Sequence, residues 1–128
     1  MPTVLIVDDE QHIRLLIEQT LEELEDAGVE LLTARDGDEA LEVVANHHPD
    51  LVFLDVMMPK RNGFEVSRAI KDDPATAGTT VILLTAKGQA IDRDQGTAAG
   101  ADEYLTKPFD PDDLLRRARA ALGLGGAA

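Results

Sequence analysis

Short, mainly apolar runs alternate along this chain with longer segments in which apolar residues return every three or four positions. The runs fall at residues 4–7, 29–34, 51–54 and 81–84, with a briefer one at 103–105. Runs this short, closed by polar residues, predict strands, and the spaced segments between them predict helices. In the first helical segment Ile13, Leu16, Ile17, Leu21 and Leu24 form one apolar stripe. The second carries Ala40, Leu41 and Val44, the third Phe64, Ser67 and Ile70, and the last Leu114, Leu115, Ala118, Ala121 and Leu122. Strand and helix alternate five times, which predicts an α/β fold: a five-stranded parallel sheet flanked by five helices on its two faces.

Composition within the strands separates centre from edge. Val4-Leu5-Ile6-Val7, Leu51-Val52-Phe53-Leu54 and Val81-Ile82-Leu83-Leu84 are apolar throughout, as strands covered on both faces must be. The second strand holds Glu30 and Thr33 and the fifth holds Glu103 and Tyr104, which makes them the natural edges. That pattern suits the order 2-1-3-4-5, in which ligands bind at the C-terminal strand ends where strands one and three are neighbours. The fourth helical segment, 87–100, is weak. It contains Gly88, Gly96 and Gly100 with little large apolar content beyond Ile91, and an interior glycine costs about 1 kcal/mol relative to alanine. A loosely packed surface helix explains it better than a helix poised between two conformations.

At 128 residues the chain has the size of one domain. We expect that domain over residues 1–122, followed by a small, flexible tail at 123–128. There is no cysteine, so disulfides, thiolate metal sites and cysteine nucleophiles are excluded. The first apolar run is too short for a signal peptide and lacks its basic start. No run approaches the ~20 apolar residues that cross a bilayer, so no membrane association and a cytoplasmic location are expected. The net charge is −13, which disfavours direct contact with nucleic acid or anionic lipid because neutralising phosphates requires clustered Lys and Arg.

Most of that acidity serves solubility, but part of it converges. Asp8 and Asp9 follow strand one, Asp55 follows strand three, Thr85 follows strand four and Lys107 lies just beyond strand five. In a parallel sheet all five come to the same end. Two carboxylates about 4 Å apart repel by roughly 4 kcal/mol at an effective dielectric near 20, so three of them in one crevice call for a cation. An all-oxygen donor set without Cys or His points to Mg2+, with Mn2+ as the alternative. Mg2+ usually retains waters and takes a phosphate oxygen, which implies a phosphorylated ligand. Lys107 offers a point positive charge and Thr85 a hydroxyl donor to phosphoryl oxygens. Each residue has a plain alternative on its own: Asp9 can cap the first helix, Thr85 can be a strand-end hydroxyl, and Lys107 a solvated surface charge. Their occurrence together on successive strand ends is what those alternatives leave unexplained.

Four segments carry a resemblance: Val4-Leu5-Ile6-Val7-Asp8-Asp9-Glu10; Leu54-Asp55-Val56-Met57-Met58-Pro59 with Asn62-Gly63; Leu84-Thr85-Ala86; and Tyr104-Leu105-Thr106-Lys107-Pro108-Phe109. In this order and spacing, over about residues 3–122, the chain resembles the response-regulator receiver family, and most of all its single-domain chemotaxis-type members. The resemblance implies a flavodoxin-like receiver fold and a signalling role in a two-component phosphorelay. It makes Asp55 the nucleophile that accepts a phosphoryl group from a histidine kinase or histidine phosphotransfer protein. It further implies that Asp9 and Asp55 hold Mg2+ directly, Asp8 through water, and Met57 through its backbone carbonyl. Lys107 would pair with the phosphoryl group, with a cis bond to Pro108, while Thr85 and Tyr104 would form a coupled switch pair. Lys87 and Met57 would flank the site and influence how fast the acyl phosphate hydrolyses. The domain would phosphorylate and dephosphorylate itself and would not be an enzyme turning over an external substrate. Its downstream protein target would dock on the strand-five face and the flanking helices.

Other residues carry less. His47 and His48 precede Pro49 in a loop and read as surface residues, and His12 as a solvated helix residue. Arg116, Arg117 and Arg119 sit near the end of the last helix, where positive charge is favourable, although a partner could use them. Three functions compete. The first is a stand-alone receiver, slightly favoured by a chain ending six residues past the last helix. The second is a receiver excised from a multidomain transcriptional regulator or hybrid histidine kinase. The third is a Mg2+-dependent aspartyl phosphatase, which would need a carboxylate two residues after its nucleophile, where Met57 stands. Asp-Asp-Glu after strand one, in place of a glycine-rich loop, excludes a dinucleotide-binding domain.

Overall fold

The computed structural model of the protein describes residues 2–86 and 99–124. Five strands, β1 (Thr3–Val7), β2 (Glu30–Ala34), β3 (Leu51–Asp55), β4 (Thr80–Ala86) and β5 (Glu103–Lys107), form one sheet in the order β2-β1-β3-β4-β5. All four pairings are parallel. The order expected from strand composition is the order found, and its cause is visible in burial. β1 and β3 are buried along their whole length, whereas Glu30 and Thr33 of β2 and Thr106 of β5 face solvent. The edge strands differ slightly from their apolar runs: β2 begins at Glu30, and β5 continues past Leu105 to Lys107, because backbone pairing, not apolarity, sets where a strand stops.

Successive strand residues point to opposite faces, so each central strand feeds two cores. Val4, Ile6, Leu51, Phe53, Ile82 and Leu84 pack beneath α1 (Gln11–Leu21), the 3-10 turn Glu22–Ala27 and α4 (Pro111–Ala121), through Ile17, Leu21, Leu24, Leu114 and Ala118. Leu5, Val7, Val52, Leu54, Val81 and Leu83 pack beneath α2 (Gly37–His47) and α3 (Gly63–Asp72), through Ala40, Val44, Val66 and Ile70. Each fully buried Leu or Ile contributes about 1.5–3 kcal/mol relative to an exposed one, so the two cores, rather than helix propensity, hold the helices in place.

Two helix expectations need correction. Leu16, placed on the α1 stripe, is 43% exposed. Ile17, Leu21 and Leu24 define the buried direction, and a residue one position before Ile17 lies a full 100° step away from it. The stripe also runs past α1, because Leu24 belongs to the 3-10 turn and is buried there. The described residues show four α-helices. The segment expected to form a further one, with Gly88, Ile91 and Gly96, lies outside the described residues. The chain re-enters at Ala99, whose carbonyl accepts a hydrogen bond from the buried Ser67 hydroxyl at 2.8 Å. Lys71 pairs with Asp102 at 2.9 Å just before β5. Among the described residues, no helix is long and apolar enough to cross a membrane.

Candidate functional site

Parallel pairing aligns the C-terminal strand ends along one edge, and the register fixes their levels. Val7 pairs with Leu54, so Asp8, one residue past β1, stands level with Asp55, the last residue of β3. Asp55 pairs with Leu84, Thr85 with Thr106, and Ala86 with Lys107. The residues singled out in the sequence are therefore neighbours in space.

Lys107 joins the acidic strand ends. Its Nζ donates to Asp8 Oδ2 at 2.7 Å and to Asp55 Oδ1 at 3.3 Å, bridging residues 99 and 52 positions away in the chain. Asp8 is fully buried and Asp55 is 6% exposed. Burial raises the Asp55 carboxyl to about 6; the charge of Asp8 adds to this and Lys107 opposes it. For Lys107, burial works against the charge, but the hydrogen bond to Asp8 and the fields of Asp55 and Asp8 outweigh it, so the ammonium is held more firmly than usual. One lysine thus compensates two carboxylates incompletely, and the site remains short of positive charge.

Two further contacts hold the Asp8 turn. Asp8 Oδ1 accepts a hydrogen bond from the Glu10 amide at 2.9 Å, and the Arg14 guanidinium donates to the Asp8 backbone carbonyl at 2.6 Å. Sequence reasoning missed Arg14, because its approach to the Asp8 carbonyl depends on where α1 comes to rest against the strand end. Asp8, Asp9 and Glu10 bring their carboxylate oxygens within 4.8 Å of one another, so Glu10 joins the acidic group alongside the two aspartates. This all-oxygen donor set fits a hard divalent cation. Among the described residues, the Thr85 hydroxyl is the buried side-chain oxygen that lacks any hydrogen-bond partner. Such a group is costly unless a ligand or another state satisfies it.

The loop after β3 is built tightly against Asp55. The Gly63 amide donates to the Val56 carbonyl at 2.8 Å, and a Cβ on Gly63 would lie 2.5 Å from the Asp55 carbonyl oxygen. Asn62 caps α3 in a reciprocal arrangement with Glu65, and Lys60 adopts a left-handed backbone with φ 71°. Met57 on this loop is 62% exposed. Tyr104 is half-buried and packs against the core beneath α2 and α3. The Lys107–Pro108 bond is cis, as expected.

The remaining sequence expectations divide. Asp9 is exposed and does not cap α1; the N-cap is Glu10, with no side-chain hydrogen bond to the helix. The Asp8 side chain takes the Glu10 amide instead, because the chain turns before the helix begins. His12 is exposed, 3.6 Å from Glu10, and His47 and His48 close α2 at the surface. Arg117 pairs with Glu103 at 2.5 Å and Asp113 at 3.1 Å, Arg119 with Glu23 at 2.6 Å, and Arg116 with Asp113. Two of the three arginines therefore tie α4 to other elements. Lys87 lies outside the described residues.

An open doubly wound sheet with an acidic, lysine-bridged crevice where β1 and β3 adjoin defines a flavodoxin-like receiver. Comparison with known families matches residues 4–119 to the response regulator receiver domain, and the chain belongs to that family. It is 44% identical over 120 residues to the phosphate regulon transcriptional regulatory protein PhoB of Pseudomonas aeruginosa, a match covering 94% of this chain and 51% of that protein. To Protein PilG of the same organism it is 38% identical over 117 residues, covering 91% of this chain and 84% of that one. A putative response regulator from Chloroflexus aurantiacus has a similar structure, with a TM-score of 0.86 at 34% identity, covering 96% of this chain and 99% of that one. So has the receiver domain of the sensor histidine kinase PA1611 from P. aeruginosa, with a magnesium ion coordinated in its active site cleft: its TM-score is 0.84 at 27% identity, covering 95% of this chain and 98% of that one. The chain spans about half the length of the transcriptional regulators it matches.

Proposed function

We propose that this receiver accepts a phosphoryl group on Asp55 and passes the signal on through a phosphorylation-dependent change in protein contacts. The single observation that supports it best is Lys107 bridging Asp8 and Asp55 at the strand ends, with carboxylates left in excess of cations. An Asp55 carboxylate oxygen attacks the phosphorus of a phosphohistidine in line. The P–N bond breaks, and the imidazole takes a proton as it leaves. Lys107 Nζ, already 3.3 Å from Asp55, meets the incoming phosphoryl oxygens, and the Thr85 hydroxyl gains the acceptor it lacks. A Mg2+ held by Asp9, Asp55 and the Met57 carbonyl, with Asp8 through water, would supply the remaining positive charge. Thr85 and Tyr104 act as the switch pair, and the β5 face with its flanking helices meets the target protein. The donor is a histidine kinase or histidine phosphotransfer protein. Hydrolysis of the acyl phosphate returns the domain to its resting state, so the protein signals stoichiometrically and is not an enzyme acting on an external substrate.

A second reading is compatible with the same chemistry. The regulators matched over half their length favour a receiver that forms one part of a longer transcriptional regulator, residues 1–122 being the receiver and 123–128 leading out of it. The phosphate chemistry is tested by incubating the protein with a small phosphodonor and Mg2+. Wild type gains one acid-labile phosphate and Asp55→Ala none; labelling of Asp55→Ala to the wild-type level would refute the assignment.

A further inference from the structure

The loop after Asp55 is held from outside as well as from within. At its far end Arg61 reaches Asp38 of α2, Nε to Oδ1 at 2.8 Å, and Lys60 lies 3.5 Å from Asp36. Between these carboxylates Gly37 is buried, and a Cβ there would fall 2.6 Å from Arg61 Cβ and 2.8 Å from the Arg61 carbonyl oxygen. The second contact is with backbone, which cannot swing aside as a side-chain tip can. Arg61 is in turn folded back on the loop through its amide, which donates to the Pro59 carbonyl at 2.8 Å. At the near end Gly63 is pressed on the Asp55 carbonyl. The first turn of α2 and the start of α3 thus grip residues 56–62 like a bracket, and Met57 stands on the gripped segment.

We propose that Gly37, Asp38 and Arg61 are positioning residues for cation binding at Asp55: they fix the height of the loop that presents the Met57 carbonyl. This rests on the receiver reading above. None of the three joins the acidic group of Asp8, Asp9 and Glu10. They act through the loop, as residues behind a metal ligand commonly do. The ion pair is about half exposed on both sides, so it adds little to stability, and its role is geometric.

The test is Mg2+ affinity, followed by amide chemical shifts during titration of the folded protein, with melting temperature measured alongside. Gly37→Ala installs the stronger helix former, so a loss of affinity cannot come from a weakened α2. It is expected to raise the Mg2+ Kd about tenfold. Arg61→Ala sets two explanations against each other by sign. Removing a positive charge near the site would tighten cation binding through the field alone. The bracket predicts weaker binding, with Kd up about threefold. Exchanging the pair, Asp38→Arg with Arg61→Asp, keeps the net charge and restores affinity toward wild type. A Kd for Arg61→Ala equal to or below wild type overturns the proposal, and this variant decides the matter if Gly37→Ala does not fold. Failure of wild type itself to bind Mg2+ would instead overturn the receiver reading, and the bracket with it.

Discussion

At the residue scale, the acidic strand ends make opposite demands on stability and function. Asp55 titrates near 6 because it is buried beside Asp8. Its folded pKa lies above the unfolded value, so the folded state binds the proton more tightly. The native protein is therefore favoured at low pH and loses that advantage as pH rises from about 4 to about 6. Allowing for partial solvent screening, Asp55→Asn is expected to be about 1–2 kcal/mol more stable than wild type at pH 7 in metal-free buffer. The gap should close toward pH 4. Melting curves across that range check it, and equal curves at every pH would contradict it. Thr85 makes the converse case. A buried hydroxyl without a partner costs about 1 kcal/mol or more, so Thr85→Val should melt no lower than wild type and as much as ~1 kcal/mol more stably. The same variant should show a weakened response of partner binding to phosphorylation. A stability loss above about 1 kcal/mol would mean the hydroxyl already has a role in the resting fold.

At the element scale, the sequence was legible wherever a single physical cause dominated. The strands β1, β3 and β4 are apolar because helices cover both of their faces, and Asp8, Asp55, Thr85 and Lys107 share one edge because the strands are parallel. Helix rotation was harder to read. Leu16 belongs to the apolar periodicity yet faces solvent, since the stripe is wider than the buried line it follows. Contacts between distant loops were not readable at all. Nothing near Gly37 announces Arg61, and nothing near Asp8 announces that Arg14 will hold its carbonyl, because each depends on where another element comes to rest. Gly63 sits between these cases. The Asn62–Glu65 spacing signals a helix start, but the close approach to Asp55 appears only in three dimensions. Gly63→Ala should therefore destabilise the protein although alanine favours helix by about 1 kcal/mol. It should also move the amide resonances of residues 55–57. Retained stability with unmoved resonances would show that the contact yields easily.

At the scale of the whole molecule, the sheet concentrates negative charge at one end and leaves the other elements to hold it there. α1 contributes Arg14 to that end, and α2 and α3 clamp its loop, while the arginine pairs of α4 brace the far side of the sheet against Glu103 and Glu23. A cation that binds only this assembled edge must stabilise the fold by mass action. Mg2+ at a hundred times its Kd should add about 2.7 kcal/mol to stability, and chelation should remove it. Asp55→Ala should lose most of that gain. A Mg2+-independent melting temperature in wild type would place the cation elsewhere or nowhere.

The central claim, that Asp55 takes the phosphoryl group, is tested most directly by locating the phosphate. The protein is phosphorylated with a small donor in Mg2+, reduced with borohydride, digested and sequenced by mass spectrometry. An aspartyl phosphate is reduced at its acyl carbon to homoserine, which marks the position permanently. The account predicts homoserine in place of Asp55 and unaltered Asp8 and Asp9; homoserine at either of those positions, or at none, would contradict it.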